Sequence, residues 1–243
     1  MIKRALKELL TEWRVMLFSL FLMLIIMLGL SLFQTDFSQL QSCGMDAFAL
    51  SSRWMASGVF IFSIFCSINI NKNNFKPQRV VLSKKNSSVW NYTIIKTVIM
   101  SLIMSMFIFM VTAIISITCF ESFYNWDLSE SVFYHFTGYR MNSINYPIIF
   151  IAYFCQAFFG ICTAAIAPMI IFWFFKSYGV GAAISTIVIL AGDVSGSEFI
   201  YGQNVYYDKM INGMDSRYHF IFPVIVLVIL MVAGSLKTKR DYL

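Results

Sequence analysis

Long apolar runs alternate with short polar stretches along the chain, and this pattern predicts a bundle of membrane-spanning helices. A helix needs about 20 apolar residues to cross the hydrocarbon core of a bilayer. Six runs are candidates, the fifth of them short: Val15–Phe33, the stretch between Arg53 and Lys72, Thr97–Phe120, a span starting at Pro147, the stretch between Lys176 and Asp193, and Tyr218–Leu236. The predicted fold is therefore all-α, a single six-span domain over residues 1–243.

Residues 1–14 have a different pattern, because apolar side chains recur there at helical spacing opposite a charged face. Such a helix lies flat in the membrane interface before the chain enters the bilayer. The apolar run that follows is not trailed by an A-x-A cleavage site, so we predict a retained first span rather than a signal peptide. Its exit is polar and contains Asp36 and Asp46.

The fifth run is short, since a helix between Lys176 and Asp193 extends only about 24 Å. Residues 193–217 are therefore predicted to dip back into the membrane as a re-entrant hairpin between spans five and six. Asp193 and Glu198 allow two interpretations. They face an aqueous cavity or a partner at depth, or they lie hydrated at the outer interface.

Residues 71–96 form the predicted cytoplasmic loop between spans two and three. This stretch has no Asp or Glu and contains six basic residues: Lys72, Lys76, Arg79, Lys84, Lys85 and Lys96. Basic loops are retained in the cytoplasm during insertion. Most of the 18 lysines and arginines then fall on the cytoplasmic side, which predicts a multi-pass protein of the cell membrane with both termini inside.

Composition supports this class, since 59% of residues are hydrophobic and 12% charged, against about a quarter charged in globular proteins. The net charge of +6 does not indicate nucleic-acid binding, because the basic residues cluster at the ends of apolar runs. The outer loops are rich in aromatic side chains. These favour an interfacial belt, with contact to an amphipathic substrate as the alternative.

No catalytic motif is found. The chain has no G-x-x-x-x-G-K-[ST] loop, and its two histidines, His135 and His219, do not form an H-E-x-x-H site. We therefore expect no enzymatic activity in this chain. Cys43 and Cys119 fall near the outer face and could pair, although two free thiols are the favoured interpretation.

Several features together resemble the type-2 permease subunits of ATP-binding-cassette exporters. They are the N-terminal helix IKRALKELLTEW, six spans with both ends inside, a first cytoplasmic loop that runs through LSKKNSSVWNYTIIK into span three, the short span five with its re-entrant segment, and the tail KTKRDYL. The resemblance extends over the whole chain and rests on this layout.

The resemblance implies a coupling helix at about Gln78–Trp90 that docks onto a cytoplasmic ATP-binding subunit. The implied contact residues are Arg79, Lys84, Lys85, Val89 and Trp90. Two permease chains, identical or paralogous, would assemble with two ATPases. The ATPases would bind ATP and Mg, and this chain would bind no cofactor.

The implied export pathway passes spans two and five and the re-entrant segment, with Asp193, Glu198 and Tyr201 beside it. The substrate expected is hydrophobic or amphipathic, such as an antimicrobial peptide or a drug. The alternative is an ion-coupled secondary transporter or channel that uses Asp193 and Glu198. An internal repeat would support the alternative, and the sequence contains no convincing one.

Overall fold

The computed structural model of the chain describes residues 2–35, 41–74, 86–194 and 217–240. Within these ranges the chain is helical and contains no strand; a single isolated bridge joins Gln41 to Ser131. The predicted all-α class is therefore confirmed.

Nine α-helices and one π-helical turn form the described part of the chain. The helices are α1 (Ile2–Thr11), α2 (Trp13–Thr35), α3 (Gly44–Trp54), α4 (Ile61–Asn71), α5 (Asn86–Thr118), α6 (Val132–Thr137), α7 (Tyr146–Phe175), α8 (Tyr178–Val194) and α9 (Arg217–Arg240). The π-helical turn Ala56–Phe60 joins α3 to α4. These two helices therefore continue one another.

Helix α7 lies at the centre of the bundle and packs against α3, α4, α5, α8 and α9. It begins as its sequence predicts, because Asn145 accepts a hydrogen bond from the Ile148 backbone N–H and Pro147 lies in the first turn. Pro168 lies inside the helix and cannot donate a backbone hydrogen bond. In the turn before it, the Ser67 hydroxyl of α4 donates to the Ala165 carbonyl at 2.7 Å.

Helices α7 and α8 are antiparallel neighbours joined by a two-residue turn, in which Lys176 has a φ of 54°. Their backbones approach closely, since a Cβ on Gly181 would lie 2.7 Å from the Pro168 carbonyl oxygen. Only glycine fits at this level without displacing a helix. The contact fixes the register between the two helices.

Among the described residues, two helices are long and apolar enough to cross a membrane, Ser88–Thr118 in α5 and Tyr146–Phe175 in α7. A third candidate is formed by α1 and the first part of α2 if this pair, bent by 73°, is counted as one span. The apolar parts of α4, α8 and α9 are shorter. The chain thus has the helices of a membrane protein, while six spans and a re-entrant hairpin stay predictions.

Two helices extend beyond the apolar runs that predict them. The helix that contains Arg53 begins at Gly44, since the N–H groups of Gly44 and Met45 donate to the Ser122 and Phe123 carbonyls and so have partners in the first turn. Helix α5 begins at Asn86, so the last part of the predicted cytoplasmic loop is helical. The reason is that this first part of α5 has bundle side chains to pack against.

Candidate functional site

Helices α4 and α5 are tied together by side chains where the chain leaves them for residues 75–85. The amide of Asn71 donates to the Thr97 hydroxyl at 3.1 Å. Asn74 donates to the Asn71 side-chain carbonyl at 3.0 Å and to the Thr93 hydroxyl at 3.3 Å. All four side chains are buried. We call these residues together with Lys96 the loop base.

Lys96 is the centre of the loop base and is the one charged residue of α5. Its side chain is 1% exposed, and its ammonium donates to the Ile70 carbonyl at 2.9 Å. The same ammonium pairs with Glu8 at 3.4 Å and with Glu12 at 3.8 Å. A buried charge is tolerated only when it is paired and hydrogen-bonded. Burial of the Lys96 ammonium therefore requires that Glu8 and Glu12 stay beside it.

The amphipathic helix α1 is thereby attached to α5. Ala5 and Leu9 are buried against the bundle, and the Arg4 guanidinium lies 5.3 Å from the centre of the Tyr92 ring. Leu10 remains 72% exposed. A docked helix that also presents apolar side chains outward has the character predicted for an interfacial helix.

Further contacts continue from this end of the bundle into the central helices. Ser67 bonds the Ala165 carbonyl next to Pro168, as described above, and is itself within 3.3 Å of the Asn71 amide. The Tyr178 hydroxyl at the start of α8 donates to the Lys72 carbonyl at 3.2 Å. A displacement of the loop base would therefore move α7 and α8 as well as α1, α4 and α5.

Val89 and Trp90, two of the predicted partner-contact residues, are buried inside the chain. Trp90 is fully buried, its indole N–H donates to the Met231 carbonyl at 3.2 Å, and its ring occupies the space a side chain would need at Gly234. The Trp90 side chain therefore holds α5 against α9. The remaining predicted contact residues, Arg79, Lys84 and Lys85, lie outside the described residues.

The backbone of Asp193 lies in the last turn of α8, while Glu198 and Tyr201 lie outside the described residues. Gly181 of α8 and Pro168 of α7 lie in contact. Asp193 is about 18 Å from Gly181 along α8, and Gln156 is about 18 Å from Pro168 along α7. Helix α7 continues about 15 Å beyond Gln156 to Tyr146, so α8 extends less far from this contact than α7 does.

A buried polar row lies between α3, α5 and α7 near Gln156. The Tyr153 hydroxyl is within 3.0 Å of the Ser51 hydroxyl and within 2.7 Å of the Thr112 hydroxyl. The Gln156 amide donates to the Ser52 carbonyl at 3.2 Å, and its Oε1 has no hydrogen-bond partner among the described residues. Polar groups at such depth are costly unless bonded, so these hydrogen bonds hold α3, α5 and α7 together here.

Residues 119–145, which we call the cap, cover the end of the bundle opposite to the loop base. The Trp126 indole N–H donates to Asp46 Oδ1 at 2.8 Å, and Asp46 Oδ2 accepts from the Cys43 backbone N–H at 2.7 Å. The Trp126 ring stacks on Phe133 at 4.4 Å. Asp46, in the polar segment predicted after span one, is fully buried in the first turn of α3.

The cysteines near the cap are both free thiols, Cys43 buried and Cys119 exposed. Burial, together with the negative charge of Asp46, raises the pKa of the Cys43 thiol to about 12. Cys43 is therefore protonated and unreactive at neutral pH. The favoured prediction of two free thiols agrees with the structure.

Lys96 and Asp46 were not identified as site residues from the sequence. Lys96 had a usable signal, because a single charge within a long apolar helix calls for a partner. Asp46 had none, since Trp126 is distant in sequence. Comparisons of the chain with protein-family models, with curated proteins and with solved structures gave no match.

Proposed function

We propose that this chain is the transmembrane subunit of an ATP-binding-cassette exporter, moved by a separate cytoplasmic ATPase. The observation that carries the proposal is the loop base, where Lys96 joins the N-terminal helix to the two helices that flank the basic stretch. A subunit without its own nucleotide site needs such a rigid point of attachment for an external motor. Arg79, Lys84 and Lys85 are the residues proposed to contact it.

In this mechanism the ATPase binds the basic stretch and displaces it when it closes on ATP. Helices α1, α4 and α5 move together, because their contacts at Lys96 and Asn71 are buried and would be costly to break. The hydrogen bonds of Ser67 and Tyr178 extend the movement to α7 and α8. The bundle then shifts between two states that differ in their affinity for the ATPase.

The proposed cargo is a hydrophobic or amphipathic molecule, such as an antimicrobial peptide or a drug, which leaves between two permease chains in the cell membrane. Support comes from the aromatic side chains that the cap exposes. Tyr139 is 62% exposed, Phe136 41% and Phe123 38%. Whether the second permease chain is identical or paralogous does not affect this mechanism.

We expect the full chain, purified from its native membrane in mild detergent, to carry with it a protein that contains a G-x-x-x-x-G-K-[ST] loop. The complex should hydrolyse ATP, and its activity should fall when Lys84 and Lys85 are both replaced by alanine, because these residues are proposed to contact the motor. Mass spectrometry and a phosphate-release assay measure the two outcomes. The matched control replaces Lys3 and Lys7 of α1, which are exposed.

A second candidate function is an ion-coupled transporter or channel, favoured by Asp193 in the last turn of α8, a helix that extends less far from the Gly181–Pro168 contact than α7 does. It predicts that no ATP-binding protein co-purifies. Transport would then survive ATP depletion and stop when the ion gradient is collapsed or when Asp193 is replaced by asparagine. Those results together would exclude the motor-driven mechanism.

A further inference from the structure

The outward surface of helix α1 contains two neighbouring rows of side chains that neither proposed function uses. Ile2, Leu6 and Leu10 recur every four residues and are exposed, so they form an apolar row along the helix. Lys3 and Lys7 are also exposed and follow the same four-residue spacing beside that row. We call these five residues the outer face of α1.

The acidic side chains of the N-terminal segment are turned away from the outer face. Glu8 and Glu12 both pair with the buried Lys96 ammonium, at 3.4 and 3.8 Å. Glu8 pairs with Arg4 as well, at 3.4 Å. The lysines of the outer face make no ion pair with any residue that the structure describes. The charge of the outer face is therefore positive.

The direction of α1 is that of a helix lying along a membrane surface. It is bent by 73° from the first part of α2, which continues as the first predicted span. A helix nearly perpendicular to a membrane-crossing segment runs along the bilayer surface. Trp13 at the bend is exposed, and indole rings favour the headgroup region. Ala5 and Leu9 hold the other side of α1 against the bundle, which leaves the outer face uncovered.

The two rows match the surface of an anionic bilayer. Apolar side chains of an interfacial helix enter the boundary between headgroups and acyl chains, while lysines beside them extend to the phosphates. A lysine near anionic lipid favours binding about fivefold, an attraction that zwitterionic lipid does not provide. An acidic soluble protein would attract the lysines too, but lipid already covers the apolar row of a helix that lies along the membrane.

We propose that the outer face of α1 selects anionic phospholipid, with the ammonium groups of Lys3 and Lys7 at the headgroup phosphates and the apolar row beside the acyl chains. The ion pairs at Lys96 support this selection, because they withdraw Glu8 and Glu12, which would repel anionic headgroups.

The proposal does not rest on the transport function. Selection of lipid requires neither an ATPase nor an ion gradient, so it can fail while the proposed function stands, and the reverse also holds. Assays in detergent contain no bilayer, so the outer face does not contribute to them.

The test uses the full chain in nanodiscs, with the fluorophore bimane attached to a cysteine introduced as Leu10→Cys. Cys119 and Cys155 are replaced by serine, because the other cysteines are buried. Lipids with brominated acyl chains quench the fluorophore when they lie next to it. We expect brominated phosphatidylglycerol to quench several-fold more than brominated phosphatidylcholine at the same low mole fraction, and high salt to reduce the difference. Both leaflets have the same composition, so orientation does not affect the result.

The Lys3→Gln, Lys7→Gln double variant should be quenched equally by the two lipids, since these lysines create the preference. Arg140→Gln removes an exposed cation of the cap and should leave the preference within twofold of the parent value. A second control attaches the fluorophore at Ile117→Cys, on the exposed side of α5 beside the cap. Quenching there should not differ between the two lipids.

Three outcomes would each overturn the proposal. They are equal quenching by the two lipids in the parent chain, a preference that persists in the double variant, and no quenching by either lipid at position 10. The last result would mean that something other than lipid covers the outer face. Circular dichroism establishes that each variant is folded.

Discussion

Replacing Lys96 with methionine should lower the free energy of unfolding by about 3 kcal/mol, because the change leaves Glu8 and Glu12 without the buried ammonium that neutralises them. Breaking a buried ion pair costs about 3–5 kcal/mol. We expect the lower value, since the side chains of Glu8 and Glu12 are 18% and 24% exposed to solvent. Unfolding of the purified chain, followed by circular dichroism during titration with sodium dodecyl sulfate, measures the loss.

Lys7→Met is the matched control for Lys96→Met. Lys7 lies on α1 beside Glu8 but is exposed, so its removal should change stability by less than about 1 kcal/mol. If both variants unfold alike, the ion pairs at Lys96 do not hold α1 to α5. The proposed transmission from the basic stretch would then lose its structural support.

The second large effect is expected at Asp46. Asp46→Ala should lower the free energy of unfolding by about 3 kcal/mol, because it removes the carboxylate that the Trp126 indole and the Cys43 N–H both contact, each worth about 1.5 kcal/mol or more. Trp126→Phe should lose roughly half as much, since it deletes one of these bonds and keeps an aromatic ring against Phe133. The same unfolding titration measures both.

Cys43 reports separately on whether the cap has loosened. Burial and the neighbouring Asp46 raise the pKa of its thiol from 9.0 to about 12. Release of the cap would return the pKa toward 9.0, so the thiolate fraction at pH 8 and the rate of alkylation should both rise in Asp46→Ala. An unreactive Cys43 in a variant of native stability would show that Asp46 does not fix the cap. Glu121→Gln, an exposed change in the same segment, is the control.

Much of the fold follows from local pattern. The amphipathic spacing of residues 1–14 predicts α1, and Pro147 predicts the start of α7 to within one residue. These features depend on residues that are close together in the sequence, so the sequence alone is enough to predict them. The short length of the fifth apolar run is likewise seen in α8.

What could not be predicted depends on distant partners. Lys96 was assigned to a basic loop, because the carboxylates that pair with it, Glu8 and Glu12, are distant from it in the sequence. Trp126 was placed among belt aromatics, yet it is fully buried on Asp46 and Phe133. Periodicity describes one helix at a time and contains no information on which polar groups from separate helices meet.

The candidate site shows the same division. The basic stretch could be recognised from its charge alone. The side chains that attach it to the bundle could not be predicted, because they are identified by their contacts in the folded chain. Trp90 illustrates the difference, since an aromatic residue beside a basic loop suggests partner contact, but its indole bonds the Met231 carbonyl within the chain.

The central claim, that the basic stretch faces the cytosol and the cap faces outward, is tested most directly by thiol labelling of intact cells. A membrane-impermeant maleimide should label Cys119 of the cap from outside, with Cys119→Ser as the control for other thiols. A cysteine introduced as Lys84→Cys in the Cys119→Ser chain should react only after the membrane is permeabilised. Labelling of Lys84→Cys in intact cells, with Cys119 of the parent chain protected, would contradict the orientation and the motor-driven mechanism that depends on it.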